Sequence, residues 1–110
     1  MRVTALGTSS HVPTAERDTT SLLVRPPAGS PILVEAPGAV VSKLKRQGVD
    51  PSELDHVVLT HDHTDHVHGF PHLVHALLFH GGTLHVHAPP RTIQTVEALL
   101  HALELEGDRY

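Results

Sequence analysis

Residues 61–66, His-Asp-His-Thr-Asp-His, place three histidines and two aspartates one residue after the apolar residues 57–59. A short apolar run bounded by polar residues predicts a buried strand, here over residues 54–60. The polar cluster then stands at the carboxyl end of that strand, where open α/β sheets place their functional sites. This arrangement predicts an α/β fold with a site at the edge of its sheet.

The spacing within this segment is typical of metal ligands. On an extended backbone His61 and His63 project to the same side, so one cation can bind both. Asp65 and His66 are adjacent and are expected to point apart, which suits a second cation close to the first. The sequence has no cysteine, and imidazole and carboxylate ligands favour zinc, manganese or iron(II). The alternative is chance, because twelve residues are histidine, but the other nine lack this dense spacing and the interleaved aspartate.

The pattern HxHxDH formed by His61, His63, Asp65 and His66 is the signature of metallo-β-lactamase-fold hydrolases, which the chain resembles. The wider context is most similar to ribonuclease Z, through residues 6–10, 12–14 and 20–24 before the motif and residues 67–71 and 84–90 after it. The resemblance implies an α/β metallo-β-lactamase-type αββα sandwich. Residues 1–110 are expected to be the N-terminal part of that single domain, a mixed sheet with flanking helices, with the C-terminal half absent.

The same resemblance assigns His61 and His63 to one metal ion and Asp65 and His66 to a second, with Asp65 also positioning the attacking water. Relatives complete their sites with a later histidine, a bridging aspartate and a final histidine, and this sequence has no histidine after His101. We therefore expect two divalent ions, most simply zinc, with two ligands each. The isolated chain is expected to be inactive unless a complementing C-terminal half or a second copy supplies the rest.

The expected reaction is hydrolysis by metal-activated water of a phosphodiester, as in ribonuclease Z or a related phosphodiesterase. Arg17 in the N-terminal loop is a candidate contact for an anionic substrate, with a loop-ordering role as the alternative. A formal charge of −4 at pH 7 gives no general attraction to RNA. The cluster of Lys43, Lys45 and Arg46 is interpreted as a solvated helix face. Glu35 ends a predicted strand where relatives usually carry aspartate.

A different class of function is also open: a non-enzymatic, His-rich metal-binding module. This hypothesis predicts additional metal sites at His72, His75, His85 or His87, of which the last two share one face of a predicted strand. No window contains the roughly 18 apolar residues needed to cross a bilayer, and residues 1–7 form a strand pattern and not a signal peptide. We therefore expect a cytoplasmic protein with no membrane partner.

Periodicity and turn residues predict the other elements. Strands are expected over residues 2–6, 20–25, 31–35 and 83–87, and helices over 39–47, 71–79 and 91–104. Gly48 should end the first helix, and Gly81 with Gly82 the second. Residues 50–53 should form a capped single turn. The apolar face of the last helix is expected to consist of Ile93, Val96, Leu100 and Leu103.

Overall fold

The computed structural model describes residues 1–10, 12–15, 18–78, 80 and 83–105. Within them, five strands form one mixed sheet in the order β1-β2-β3-β4-β5. The strands are β1 (Arg2–Gly7), β2 (Ser21–Arg25), β3 (Ile32–Val34), β4 (His56–Val58) and β5 (His85–His87). The helices are α1 (Val40–Arg46), α2 (Thr64–Val67), α3 (Phe70–Ala76) and α4 (Pro90–Ala102), with a 3₁₀ turn at Pro51–Glu53.

The connections between strands decide their directions. β1, β2 and β3 are linked by loops and pair antiparallel. The β3 to β4 and β4 to β5 connections contain helices, and both pairs are parallel, because a parallel pair needs a crossover that a helix usually supplies. β3, β4 and β5 therefore end at the same edge of the sheet, and the segment after β4 is the histidine motif.

One face of the sheet is buried beneath the helices. Leu23, Leu33 and Val57 are paired across neighbouring strands, and all three are fully buried. Phe70 and Leu100 pack on them from α3 and α4 and are fully buried as well. Side chains alternate between the two faces of a strand, so this row defines the covered face and the core.

No helix in the part of the chain that the structure describes covers the opposite face. Leu22, Val24 and Ile32 project there, and each is only partly buried, while Val3 in the edge strand is 57% exposed. A single sheet with helices on one side leaves such a face, as expected for half of a sandwich.

Helix ends follow the sequence signals in two places. Gly48 has φ of +74° directly after α1, the left-handed conformation in which glycine ends helices. At the 3₁₀ turn, Asp50 accepts a hydrogen bond from the backbone of Ser52, and the Glu53 side chain accepts one from the backbone of Asp50. Both predictions are confirmed; Gly81 and Gly82 lie outside the described residues.

The predicted apolar face of α4 is partly wrong. Val96 and Leu100 are buried, but Leu103 is 57% exposed, and Thr92 is buried in its place at 2% exposure. Thr92, Val96 and Leu100 are spaced by four residues and form one stripe toward the sheet. The helix ends at Ala102, so Leu103 lies beyond the part that packs on the core.

Among the described residues, no helix has both the length and the apolar character needed to span a membrane.

Candidate metal centre and cleft

Backbone hydrogen bonds at the end of β4 fix the start of the motif. The Leu59 N–H donates to the carbonyl of His87 at 2.9 Å, and the Thr60 N–H donates to Oε1 of Glu35 at 3.0 Å. Residues 61–63 continue in a loop, and His63 precedes α2 with extended dihedral angles. The motif is therefore in two parts, a loop with His61 and His63 and a short helix with Asp65 and His66.

The structure brings the three motif histidines together. The ring centroids of His61 and His63 are 4.7 Å apart, and those of His61 and His66 are 3.9 Å apart. His61 and His63 are thus close neighbours, which agrees with their expected projection to one side. His61 is also fixed by a 2.9 Å contact between its Nδ1 and the hydroxyl of Thr60.

The expectation that Asp65 and His66 point apart is wrong. Oδ2 of Asp65 lies 3.1 Å from Nε2 of His66. The expectation assumed an extended backbone, whereas α2 is helical, and successive side chains on a helix do not alternate between opposite sides. A helix of four residues has too little sequence to show a helical period, so pattern analysis did not predict it.

Glu35, the residue directly after β3, contacts the motif and the residue before it through its two carboxylate oxygens. It is 3% exposed and adopts φ of +68°, an uncommon conformation for a residue with a Cβ. One carboxylate oxygen accepts from the Thr60 N–H, and the other lies 3.0 Å from Nδ1 of His66. The sequence singled out Glu35 only as a departure from relatives; its position after a buried strand is the signal that could have placed it beside the motif.

The imidazole nitrogens and carboxylate oxygens beside the motif are of the chemical types that bind a divalent metal. Nδ1 of His66 and Oε2 of Glu35 are buried, and neither has a hydrogen-bond partner within the described residues, since their 3.0 Å contact lacks hydrogen-bond geometry. Imidazole nitrogen and carboxylate oxygen are ligands that zinc accepts. Across residues 1–10, 12–15, 18–78, 80 and 83–105, however, no three such side chains are arranged as the ligands of one ion.

A cleft of about 940 Å³ opens beside the motif. The N-terminal loop forms one wall with Asp18, and the motif forms the other. Arg91, the second residue of α4, completes the lining. The other described lining residues are Ser10, Pro13, Thr19, Thr20, Asp62, His63, Thr64, Asp65, His66 and His68. Arg17, the predicted substrate contact, lies outside the described residues.

Asp62 connects the motif to α4. Its Oδ2 accepts from Nε of Arg91 at 3.0 Å and from the hydroxyl of Thr95 at 2.9 Å. The hydrogen bond from Arg91, followed by that from Thr95, holds the pKa of Asp62 below its ordinary value of 3.8. Asp62 is therefore engaged with α4, while the rings of the flanking His61 and His63 contact each other edge to face. Neither Asp62 nor Arg91 was predicted from the sequence to have a role.

Lys43 corrects the interpretation of the basic cluster. Its side chain is 6% exposed and lies 2.8 Å from Oδ2 of Asp18, and it also donates to the carbonyl of Gly38 at 2.9 Å. The hydrogen bond from Lys43, followed by that from the backbone N–H of Thr19, lowers the pKa of Asp18. Lys43 is thus a buried tie between α1 and the cleft wall, whereas Lys45 and Arg46 are exposed.

A second group of histidines lies on the open sheet face. His85 and His87 share that face, as expected, and His56 on β4 is paired with His85. Nδ1 of His56 is 2.9 Å from Nε2 of His87, and the rings of His56 and His85 are stacked with centroids 5.2 Å apart. His56 had no signal of its own in the sequence, because its partners lie on a neighbouring strand.

The sheet topology and the motif after β4 together define the class: this is a metallo-β-lactamase-fold protein. The family model described as Anti-Pycsar protein Apyc1 matches residues 1–106, and the chain belongs to that family. The resemblance inferred from the sequence, and the fold class it implied, are confirmed.

Individual proteins with similar sequences or structures agree with this fold. Ribonuclease Z of Bradyrhizobium diazoefficiens is 45% identical over 71 residues, which are 64% of this chain and 23% of that protein. Human tRNase Z, short form, superposes with a TM-score of 0.81 at 20% identity, covering 94% of this chain and 40% of that one. The metallo-beta-lactamase fold protein YhfI from Bacillus subtilis has a TM-score of 0.75 at 30% identity, covering 88% and 41%. The chain spans less than half the length of each.

One further solved structure was determined with metal. Zn(2+)-bound PqqB from Methylobacterium extorquens has a TM-score of 0.68 at 20% identity, covering 89% of this chain and 40% of that one. At this identity the likeness concerns the fold.

Proposed function

We propose that this chain is part of a metal-dependent hydrolase that cleaves a phosphodiester, with His61, His63, Asp65 and His66 as ligands of two divalent ions. The main support is the convergence of the three motif imidazoles, with centroids 3.9 Å and 4.7 Å apart, beside Asp65 and an open cleft. Zinc is the proposed metal because nitrogen and oxygen ligands suit it. Manganese and iron(II) accept the same ligands.

The chemistry follows from these groups. Divalent ions held by these residues would lower the pKa of a bound water to about 7, so that the water can act as the nucleophile. The oxygen of the attacking water would form a bond to phosphorus as one P–O ester bond breaks. Asp65 would accept the proton of that water and pass it to the departing alkoxide. Oε2 of Glu35 lies 3.0 Å from Nδ1 of His66, and a hydrogen bond formed there on metal binding would fix the His66 ring, as carboxylates commonly do for metal-binding histidines.

The site needs more ligands than the motif provides. A catalytic zinc site usually has three protein ligands and an open position, and two ions would share four residues here. We propose that this chain is the N-terminal part of one domain, completed either by further chain or by a partner. Two observations support this: the relatives are more than twice as long as the matched region, and the partly exposed apolar sheet face offers a surface to cover.

The substrate is proposed as a phosphodiester, with RNA as one member of that class. Several relatives are named ribonuclease Z, but the charge of −4 provides no general attraction to a polyanion. Arg17 stays a predicted substrate contact. We propose a cytoplasmic location.

Native mass spectrometry of the 110-residue chain, expressed with zinc, tests metal binding and assembly together. We expect bound zinc that is lost in His63→Ala and kept in His72→Ala, because His72 is exposed on α3 and is not one of the four HxHxDH positions. Hydrolysis of bis(p-nitrophenyl) phosphate should appear only in samples with complete assemblies. Equal zinc content in His63→Ala and wild type would overturn the proposed ligand set.

The contact between His56 and His87 supports a second candidate, the metal-binding module. It predicts that His87→Ala or His72→Ala lowers the bound metal more than His63→Ala, and that no assembly hydrolyses the diester.

A further inference from the structure

Arg91 occupies a fixed place in the cleft. Its Nε donates to Asp62 at 3.0 Å, and Asp62 also accepts from Thr95, which is one helical turn after Arg91 on α4. Asp62 lies between two motif histidines, so this contact sets the guanidinium at a defined position relative to the motif. The side chain of Arg91 is 86% exposed, and its guanidinium is therefore open to the solvent of the cleft.

The charges around the cleft distinguish Arg91 from the other basic residues. Asp18 is paired with Lys43, and Asp65 contacts His66. Among the described residues that line the cleft, Arg91 is the only lysine or arginine. A guanidinium has five N–H donors, and the contact with Asp62 uses the one on Nε. Four N–H groups on the two Nη atoms have the planar geometry that matches phosphate oxygens.

We infer that Arg91 is the residue that binds the anionic phosphate of the substrate and that Asp62 and Thr95 position it. The inference rests on the proposed function and specifies which residue selects the charge of the substrate. Since the Arg91–Asp62 pair is neutral as a whole, it recognises phosphate through directed hydrogen bonds and not through net charge, which suits an acidic protein.

Binding of dimethyl phosphate, a diester with one negative charge, tests this inference without turnover. The probe is titrated into metal-free wild-type chain and followed by ¹H–¹⁵N NMR at one fixed pH. Trimethyl phosphate is the uncharged comparison. We expect dimethyl phosphate to shift the signals of Arg91 and its neighbours, and trimethyl phosphate to leave them in place.

Substitutions then locate the contact. We expect Arg91→Gln to weaken dimethyl phosphate about fivefold or more, since hydrogen bonds to charged groups are among the stronger ones. Arg91→Lys should recover only part of the affinity, because an ammonium cannot replace the planar fork. Arg46→Gln is the matched control: it removes the same charge from an exposed site on α1 and should bind as wild type does.

Three results would overturn the inference: no binding of dimethyl phosphate to the wild-type chain, equal affinity in Arg91→Gln, or equal weakening in Arg46→Gln. Because the Arg91 side chain is highly exposed, its replacement should not unfold the chain. Circular dichroism of each variant checks that the fold is kept. Failure of the proposed function gives a different result, namely no diester hydrolysis and no dependence of zinc content on His63. Phosphate binding by Arg91 is measured separately from both.

Discussion

Replacement of Gly69 by alanine should be far more damaging than its conservative chemistry suggests. Gly69 joins α2 to α3, and a Cβ there would lie 1.8 Å from the carbonyl oxygen of Pro37 and 2.6 Å from its carbonyl carbon. Real Cβ atoms essentially never come within 3.0 Å of such neighbours. The backbone of Pro37 must therefore move by roughly 1 Å or more, because no flexible side chain can absorb the overlap.

The displaced segment is held on both sides. The Gly69 N–H donates to the carbonyl of Ala36 at 2.8 Å, and the Ala36 N–H donates to the carbonyl of His66 at 2.9 Å. Overpacking costs about 1–3 kcal/mol, and leaving a buried polar group without its partner costs about 1–3 kcal/mol more. We expect Gly69→Ala to lower the free energy of unfolding by about 3–5 kcal/mol, a large part of the roughly 5–15 kcal/mol of a typical domain.

Gly48→Ala is the matched control. Gly48 has φ of +74°, and nothing lies within 4 Å of the position that a Cβ would take there, whereas Gly69, with φ of −87°, has no left-handed strain. The control should cost about 1–2 kcal/mol from backbone conformation alone. Urea unfolding followed by circular dichroism measures the loss of free energy of unfolding in each variant. The comparison holds if the dependence of that free energy on urea concentration is the same in all three proteins. If Gly69→Ala costs no more than Gly48→Ala, the steric argument is wrong.

Three further predictions concern packing, the motif and pH. Leu100→Ala should lower the free energy of unfolding by about 2–5 kcal/mol, and Leu103→Ala, at an exposed position, by well under about 1 kcal/mol; similar denaturant midpoints would contradict the assignment of the core. Glu35→Ala should cost about 1–3 kcal/mol by leaving a backbone N–H without its acceptor, and an unchanged midpoint would show that water replaces the carboxylate. The pKa of Asp18 is lowered, so the stability due to Lys43 is fully present above pH 3.8 and is lost as pH falls below that value. Thermal unfolding of Asp18→Asn should therefore differ from wild type at about pH 6, by less than about 1 kcal/mol because Asp18 is partly exposed, and converge with it near about pH 2; a difference that grows toward low pH would contradict the sign.

Most strands and helices could be predicted because the residues that specify each of them lie close together along the chain. Apolar residues at strand spacing marked β2, β3 and β4, and the left-handed Gly48 marked the end of α1. The turn at Pro51–Glu53 was predicted with its hydrogen bonds, since all its partners lie within four residues. The metal ligands within the motif were predicted from spacing and resemblance together, and this ligand set stays a prediction.

Contacts between distant segments could not be predicted in the same way. Lys43 was assigned to a solvated face because its acidic partner, Asp18, lies on a loop 25 residues earlier. His56 had no signal because strand pairing, and not the sequence around it, places it next to His87. Arg91 was missed because its partner, Asp62, was considered only as a spacer within the motif. Tertiary structure decides each of these pairs.

The contacts around the motif explain how a loop of polar residues can be ordered before any metal binds. Glu35 holds the start of the loop from β3, Asp62 ties its middle to α4, and the Gly69 N–H ties the end of α2 to the carbonyl of Ala36. These attachments come from two distant parts of the chain, residues 35–36 and α4, so the loop cannot shift as a unit without breaking at least one. The entropy of ordering the histidines is then lost during folding and not on metal binding, which is the advantage of a preorganised site. Asp62 and Glu35, which are not among the HxHxDH ligands, thus determine the geometry of the residues that are.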